Sequence, residues 1–437
     1  MQLNRRQVLR SAGALSVGAT LAACGFTKSA DTAASGSGGA GTGDLTFTTW
    51  GTDSELAGFN TAIAAFEKAN PGAKVALNAV PFQQMFSNID AQLQANQAPD
   101  VFRVDYDNLG TYAGRGQLLD LTGKIDATAG DAFTDAMWQA VQYDGKPYGM
   151  PHHTDTSAIL YNKAAFTAAG ITSVPTTVET AWTWEEFEAV AVKLQKSLPA
   201  KQYPFAYNWQ GQGVTRWLSW LFQADGRFLT EDLTAPAIDS DAGRAAIDFT
   251  KSFFTKKYVP QNSSMKSSTY ASDLFFSETV AMVFGGAFLL PDAAKLAKFE
   301  WGATYSPRNK RGGGDLGGNA LVATAGTQRG DVAAKFLQFM TQQQTMKDFC
   351  VTASLLPTRK DLITSGLAFA ARPELSPIFL GQATTVQPSD AKQVASKNMA
   401  KINTVIGDQL EQAFIGGQST EDTIAGLTAG IKTALAQ

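Results

Sequence analysis

Beyond the first 43 residues, hydrophobic and polar positions follow patterns that predict an α/β sheet. Residues 45–50, 74–80 and 99–104 show the alternation or short apolar run of a strand. Hydrophobic positions at helical spacing lie between them, over residues 56–66 and 86–93. This β-α-β-α-β order predicts a parallel sheet. Because ligands of such sheets bind beyond the carboxyl ends of the strands, the segments after each strand are candidate binding loops.

A second α/β unit follows further along the chain. Strand patterns cover residues 157–161, 204–207 and 280–284. Between the first two, Thr183 and Glu186 have the spacing of a capping box, which predicts that a helix begins there. Two units that each have their own strand ends predict two lobes facing each other across a cleft.

Residues 1–23 read as an export signal that is removed from the mature protein. They combine three basic residues, Arg5, Arg6 and Arg10, with an apolar run that is too short to span a bilayer. Residues 4–9 (NRRQVL) resemble a twin-arginine signal, which directs folded proteins for export.

The signal ends in LAAC, residues 21–24, which resembles the lipobox of bacterial lipoproteins. This predicts cleavage before Cys24 and lipid on that cysteine; the alternative is an ordinary secretory signal with an incidental cysteine. Residues 24–43 are rich in Gly, Ser, Ala and Thr and predict a flexible linker. With Cys24 acylated, Cys350 has no partner for an intrachain disulfide.

Composition narrows the class of protein. Of 437 residues, 44% are hydrophobic, which is ample for the cores of two or three domains. The formal net charge is −3, and it falls to −6 when residues 1–23, with three Arg and no acids, are removed. No basic surplus marks a nucleic-acid-binding surface, so we expect no nucleic-acid partner.

Six segments in order resemble the extracellular solute-binding proteins of ABC importers, in the group that includes maltose-binding and glycerol-3-phosphate-binding proteins. The resemblance covers the whole chain beyond residue 43, although Ser277 and Glu278 replace the small residues that are more usual there. The segments are ANPGAKVAL (69–77), APDVFRVDYDNLGTYAGRGQLLDLT (98–122), YDGKPYGMPHHTDTSAILYNKAAF (143–166), WTWEEFEAVAVKL (182–194), FSETVAMVFGGAF (276–288) and LLPTRKDL (355–362).

The resemblance implies a type II periplasmic-binding-protein-like α/β fold, with a ligand cleft between two lobes joined by three hinge crossings. The crossings are expected near residues 151–154, 302–304 and 345–348. Lobe 1 would then comprise residues 44–152 and 303–347, and lobe 2 residues 153–302 and 348–437. The resemblance also implies no catalytic residue and delivery of the ligand to a membrane permease driven by an ATPase.

Candidate ligand contacts follow the strands of the first unit. Trp50 and Asp53 close the first strand, although Asp53 is equally suited to cap the following helix. Gln84 follows the second strand. Asp105 and Asp107 follow the third, and the resemblance implies that one of them binds sugar hydroxyls. Carboxylates and amides accept hydrogen bonds from hydroxyls, while aromatic rings cover the apolar faces of sugars.

Further candidates lie in the second half of the family pattern. The resemblance implies ligand contacts for Asp155 at the first crossing, for Phe288 as a stacking ring and for Asn319 in a later loop. Gly286 lets the backbone approach a ligand closely. Arg359 is suited to a hydroxyl or phosphate; its alternative is a salt bridge beneath the cleft.

Three tryptophans lie within residues 208–222. Trp209 follows a strand and precedes a Gly-rich segment, which predicts a ring exposed to the cleft for stacking. Trp217 lies on the apolar face of the next helix and could face the cleft or the core. Trp220, at the edge of that face, is expected to pack in the core.

His152 and His153 are the only histidines. With Asp155 they suggest a metal site, but zinc takes three or four convergent ligands and no other His or Cys supplies them. We therefore expect a polar pair beside the cleft, with no metal and no cofactor.

The sequence thus predicts a monomeric, lipid-anchored protein on the extracellular face of the cell membrane, which binds a sugar or oligosaccharide for an ABC importer. One alternative keeps this class but changes the ligand to a glycerophosphodiester or another polyol phosphate, which Arg216, Arg308 or Arg359 could bind. Another is a secreted glycosidase that uses Asp105 with Asp107 or Asp155 as its acid and base.

Overall fold

The computed structural model describes residues 44–209, 211–267 and 269–436. The predicted signal peptide, the lipidation of Cys24 and the linker lie outside the described residues.

The described strands form a five-stranded sheet, a four-stranded sheet and a separate hairpin. The first sheet has the order β2-β1-β3-β11-β6, the second the order β10-β7-β9-β8, and β4 pairs with β5. Their bounds are β1 Asp44–Thr49, β2 Lys74–Ala79, β3 Val101–Asp105, β4 Gln142–Tyr143, β5 Lys146–Pro147, β6 Gly149–Asp155, β7 Ala158–Asn162, β8 Tyr203–Tyr207, β9 Val280–Gly285, β10 Trp301–Thr304 and β11 Gly317–Ala323.

Helices cover the sheets and build the described chain beyond β11, which ends at Ala323. They are α1 Asp53–Ala69, α2 Phe82–Gln94, α3 Tyr106–Gly114, α4 Asp135–Gln139, α5 Lys163–Ala168, α6 Trp184–Ser197, α7 Leu218–Gln223, α8 Asp241–Thr255, α9 Ala271–Phe276, α10 Leu290–Leu296, α11 Gly330–Met340, α12 Gln343–Ala353, α13 Lys360–Ser365, α14 Ser376–Ala383, α15 Pro388–Val394, α16 Met399–Phe414 and α17 Thr420–Leu435. None of these described helices has the length and apolarity needed to cross a membrane.

The predicted order β1-α1-β2-α2-β3 is confirmed, and β1 pairs in parallel with both β2 and β3. The sheet as a whole is mixed rather than parallel, because β11 pairs antiparallel with β3 and with β6. Local alternation could not reveal this, since β11 comes from a segment more than 200 residues after β3.

The second sheet has its own topology. Strand β8 pairs in parallel with β9, while β7 pairs antiparallel with β9 and β10. The chain passes from the first sheet to the second between Asp155 and Ala158, and it returns between Thr304 and Gly317. The fold therefore has two lobes, each assembled from separate parts of the chain.

All three expected lobe boundaries fall inside continuous elements, and the first, at residues 152/153, would cut β6. The boundary at residues 302/303 would cut β10, and the boundary at 347/348 would cut α12, which packs against α1 of the first lobe. Helix α14, by contrast, packs against β7 of the second lobe. The third passage therefore lies between α13 and α14, later than expected, because α12 packs against α1, α11 and β6 of the first lobe.

Two capping boxes fix helix starts next to the sheets. The predicted one at Thr183 is confirmed, since Thr183 Oγ1 accepts from the Glu186 N–H at 3.2 Å and Glu186 accepts in return at 2.7 Å. Helix α1 is capped in the same way by Thr52 with Glu55. Asp53 is therefore the first helical residue rather than the cap.

Candidate functional site

Arg103 joins the strand ends of the first lobe. It lies in β3 with only 3% of its surface exposed. Its Nη2 donates to Glu55 Oε1 at 2.7 Å, its Nε to Asn319 Oδ1 at 2.8 Å and its Nη1 to the Trp50 carbonyl at 2.8 Å. His153 Nε2 lies 3.1 Å from Nη2. A buried guanidinium needs such partners, and here they fix the ends of β1, β6 and β11 relative to one another.

Asp105 ends β3 beside this arginine. Asn319 of β11, its register partner, donates its side-chain amide to Asp105 Oδ1. Burial raises the pKa of Asp105 to about 6, against the lowering effect of Arg103 and Arg216. The predicted Asp105 and Asn319 therefore lie together at the end of two neighbouring strands, β3 and β11, and one hydrogen bond joins their side chains.

Asp107 is buried in the first turn of α3, between the first lobe and α16. The side-chain amides of Asn403 and Asn108 donate to its two oxygens. Burial, followed by the charge of Asp105, raises the pKa of Asp107 to about 8. Asp107 thus lies one layer deeper than Asp105.

Asp155 ends β6, where the chain passes to the second lobe. Arg216 Nη2 lies 3.4 Å from Asp155 Oδ2, and its Nε lies 3.5 Å from Asp315 Oδ2. The Ser157 N–H holds Asp315 in turn, at 2.8 Å. Burial raises the pKa of Asp155 to about 7, although Arg216 opposes the shift. Asp155 Oδ1 is buried and has no hydrogen-bond partner among the described residues.

Gly286 approaches this carboxylate closely. A Cβ atom at residue 286 would lie 2.1 Å from Asp155 Oδ1, so any side chain here would displace Asp155. In this structure the close approach at Gly286 is made to Asp155, and its contact with a ligand stays a prediction.

The two lobes meet across these strand ends. The Gln83 side-chain amide of α2 donates to the Tyr270 hydroxyl just before α9. Arg216 is close enough to lower the pKa of Asp105, which lies in the other lobe. Asp53, in turn, contributes to raising the pKa of Asp292 in α10. Polar groups from both lobes thus face one another.

A cavity of about 190 Å³ adjoins this region at α16. Asn403 lines it and connects it to Asp107, to which its amide donates. The Asn403 Oδ1 atom is buried and has no partner among the described residues. On the opposite wall lie Val214, Met265 and Lys266. The cavity therefore combines apolar surface with an unsatisfied acceptor.

The predicted stacking role of Trp209 is wrong. Its side chain is 0% exposed, and its ring lies 4.8 Å from that of Tyr207 and 5.4 Å from that of Phe414 between centroids. Its Nε1 donates to the Ser263 carbonyl at 2.8 Å. Helix α16 covers the end of β8, so this ring is enclosed by the second lobe rather than presented to a ligand.

Trp217 and Trp220 are also fully buried. Trp217 Nε1 donates to Thr250 Oγ1 at 3.0 Å, which assigns this residue to the core of the two alternatives left open. The expected packing role of Trp220 is confirmed by its edge contact with Phe253, at 5.3 Å between ring centroids.

Arg359 lies elsewhere. Its Nη2 pairs with Asp361 at 2.8 Å and its Nη1 donates to the Thr341 carbonyl at 3.3 Å. Asp361 and Thr341 are not among the residues that Arg103 or Arg216 contacts. The salt-bridge alternative therefore describes its contacts in this structure, and a ligand contact of Arg359 stays a prediction.

The remaining candidates lie at the margins of the site. Trp50 is half-buried, with the Arg103 guanidinium carbon 4.3 Å from its ring centroid. Asp53 and Gln84 are exposed, and the neighbouring Gln83 makes the contact to the other lobe. Phe288 is half-buried against the apolar core.

His152 and His153 are buried beside Arg103, with their Nδ1 atoms 3.0 Å apart. Burial and the positive charge of Arg103 lower the pKa of His152 to about 3, and that of His153 also lies far below its usual range. Both rings are therefore neutral near pH 7. In the part of the chain that the structure describes, no group of three or more His, Cys, Asp or Glu is arranged to hold a metal ion.

Sequence reasoning missed several of the residues that build the site. Arg103 could have been found, because a charged residue inside the buried strand VFRV requires a partner. The partner is Glu55. Its spacing from Thr52 is that of a capping box, so the sequence indicates a role only within its own helix and not the pairing with Arg103. Arg216 was considered only for phosphate. Asp315, which pairs with it, gave no sequence signal, because it lies in an irregular Gly-rich loop.

Comparisons with known proteins agree with this architecture. Residues 61–376 match the family described as bacterial extracellular solute-binding protein. The chain is 30% identical to the galactooligosaccharide-binding protein of Bacillus subtilis (strain 168) over 151 residues, 35% of this chain and only 34% of that relative. It is 23% identical to the diacetylchitobiose binding protein DasA of Streptomyces coelicolor over 370 residues, 82% of this chain and 83% of that protein.

Solved structures agree on the fold. A solute-binding protein of an ABC transporter from Thermotoga lettingae TMO, bound with alpha-D-tagatose, superimposes with a TM-score of 0.75 at 22% identity. The superposition covers 90% of this chain and 99% of that one. This likeness supports the two-lobed fold.

Proposed function

The chain belongs to the family of bacterial extracellular solute-binding proteins, and we propose that its solute is a sugar or oligosaccharide, which it delivers to the permease of an ABC importer. The family consists of binding proteins, so we assign no reaction to this chain. Two relatives, which align with 35% and 82% of this chain, are named as binding proteins for galactooligosaccharide and for diacetylchitobiose. Their names support a carbohydrate ligand.

The observation that carries the proposal is the set of acceptors at the facing strand ends. Asp105, Asn319 and Asp155 of the first lobe present carboxylate and amide groups where the lobes meet, and Arg216 of the second lobe faces Asp155. Sugar hydroxyls donate hydrogen bonds to such oxygens, and the half-buried ring of Trp50 offers an apolar surface for a sugar face. A polyol fits both features.

A glycerophosphodiester fits this site less well. Of the three arginines considered for it, Arg216 already faces Asp155 and Asp315. Arg308 donates to the Ala181 carbonyl, and Arg359 lies elsewhere. A phosphate that reached Arg216 would therefore lie next to the carboxylates of Asp155 and Asp315. Like charges repel in a buried site, so this position is unfavourable for it.

Two further parts of the proposal concern residues 1–43. A lipid on Cys24 and a flexible tether over residues 24–43 would hold the protein at the outer surface of the cell membrane, close to the permease. We expect it to act as a monomer. The LAAC motif and the linker composition support this arrangement.

A thermal-shift screen tests the sugar assignment directly. A ligand that binds only the folded protein raises its stability by RT ln(1 + [L]/Kd). Mono-, di- and trisaccharides should include a compound that raises the melting temperature, whereas glycerophosphocholine should not. If only glycerophosphodiesters stabilise the protein, the ligand class is wrong. New reducing ends released from a bound oligosaccharide would instead indicate a glycosidase.

A further inference from the structure

Carboxyl groups outnumber guanidinium groups in the region where the lobes meet, although burial raises the pKa of Asp107 to about 8 and that of Asp155 to about 7. The described side chains that form it include the carboxylates of Glu55, Asp105, Asp107, Asp155 and Asp315 and the guanidiniums of Arg103 and Arg216. His152 and His153 add no charge near pH 7. Lys266, at the adjoining cavity, is itself paired with Asp408 at 2.9 Å.

The carboxylates differ in how closely a guanidinium pairs with them. Arg103 is committed to Glu55 at 2.7 Å, while Arg216 is divided between Asp155 and Asp315 at 3.4 and 3.5 Å. The Asp155 Oδ1 atom, in a residue only 5% exposed, has no hydrogen-bond partner among the described residues. A buried carboxylate oxygen without a partner is unfavourable, so this atom is suited to a donor that the ligand supplies.

The outer part of the same region is also acidic on both sides. Asp53 begins α1 in the first lobe, and Asp292 lies in α10 of the second. Burial and then the charge of Asp53 raise the pKa of Asp292, so the two carboxylates repel each other. Like charges oppose the approach of the two lobes, and a cation between them removes that opposition.

The occupant that these groups favour is an organic cation rather than a metal ion. A metal needs several ligands converging on one point, and the described residues contain no such group of three. An ammonium needs only acceptors within hydrogen-bond distance, and it carries three donors.

We propose that the solute is an amino sugar or an oligosaccharide of amino sugars, whose protonated amine binds against the Asp155 carboxylate. This rests on the proposed function and narrows its substrate class. The remaining hydroxyls of the same ring would donate to acceptors such as Asp105.

The test uses three β-1,4-linked disaccharides that differ only at C2 of each ring: the diglucosamine, its N,N′-diacetyl form and cellobiose. Calorimetric titration of the purified protein at pH 7.5, above the pKa of about 7 at which Asp155 ionises, gives the three affinities. We expect the free amine to bind at least tenfold more tightly than either neutral disaccharide. The glucosamine, N-acetylglucosamine and glucose monosaccharides form a second matched set.

Asp155→Asn separates the charge from the shape of this residue. It should weaken binding of the free amine at least tenfold and change that of cellobiose less than threefold. Asp331→Asn, at an exposed carboxylate paired only with Lys124, is the matched control and should change neither. A circular-dichroism melt verifies that Asp155→Asn is folded. If it is not, Asp292→Asn replaces it, with a smaller loss expected for the amine alone.

The outcomes distinguish this inference from the proposed function. If a neutral disaccharide binds as tightly as the free amine, or if Asp155→Asn weakens all three equally, the ammonium site is wrong while sugar capture stands. If no member of either set binds, and the wider sugar screen is also negative, both are wrong.

Discussion

Arg103 Nη2 lies 2.7 Å from Glu55 Oε1, and both side chains are more than nine-tenths buried. The pair connects the third strand of the first sheet to the first turn of α1, where Glu55 also completes the capping box of Thr52. One carboxylate therefore fixes a helix start and neutralises a buried guanidinium, which is why neither residue can be replaced independently.

Replacing Arg103 with Met should destabilise the fold by about 3–5 kcal/mol, because it leaves Glu55 buried without its partner. Urea denaturation measures the change. The double variant Arg103→Met/Glu55→Gln should recover part of the loss. Glu67→Gln, which breaks the exposed pair with Lys74, is the control and should have a much smaller effect. If Arg103→Met and Glu67→Gln lower the free energy of unfolding equally, this account is wrong.

Trp209→Ala should cost about 3–5 kcal/mol of stability, as large-to-small changes in a core do. The ring is enclosed by Tyr207 and Phe414, and removing it leaves the Ser263 carbonyl without its donor. Ligand affinity, measured by titration at a temperature where the variant is folded, should stay within threefold of the parent. A stable variant that fails to bind sugar would return Trp209 to the binding site.

Trp50→Ala should show the opposite pattern. Its half-buried ring lies where the lobes meet and covers one side of the Arg103 guanidinium. We expect sugar affinity to fall tenfold or more, with a smaller loss of stability than for Trp209→Ala. The same titrations and denaturant melts give both values. Unchanged affinity would place the sugar away from this ring.

The Asp155 carboxyl should make the ligand-free fold less stable as pH rises. Its folded pKa of about 7 exceeds the unfolded value of 3.8, so the folded state holds a proton that the unfolded state has lost between these values. Stability from this group is thus full below pH 3.8 and is lost as pH rises to 7, at about 1.4 kcal/mol per pH unit.

Asp155→Asn isolates that contribution. The stability of the parent minus that of the variant should fall by about 2.6 kcal/mol between pH 5 and pH 8, measured by urea melts at fixed ionic strength. Subtraction removes the other titrating groups, including the two neutral histidines. Asp331→Asn should run parallel to the parent across this range. A difference that stays constant from pH 5 to pH 8 would mean that Asp155 is ionised throughout and would contradict this account.

Cys24→Ala should release the protein from membranes or leave its signal uncleaved, because the predicted lipid attaches at this residue. Cell fractionation and the mass of the purified protein distinguish these results from the parent. Cys350→Ala, at a buried thiol outside the signal, should leave fractionation unchanged. If Cys24→Ala still sediments with membranes at the mature mass, the anchor is not on this cysteine.

Local patterns in the sequence determined the β-α-β-α-β unit, the capping box at Thr183 and the strand after Asp155. Each depends on residues within one or two turns or one strand, so alternation, helical spacing and capping chemistry suffice to specify it. The order of family motifs added the two lobes, and the position of Asp105 followed from its place after a strand. Asn319 came from the family resemblance alone, which implied a loop where the structure has β11.

Only the tertiary structure decided what lies across from each residue. Trp209 follows a strand as a binding residue would, but α16, nearly 200 residues later, covers it. Arg103 became the centre of the site because Glu55 and Asn319 come to it from elements 48 and 216 residues away. Burial and charge pairing depend on neighbours that are distant in sequence, and a single sequence read locally contains no measure of those distances.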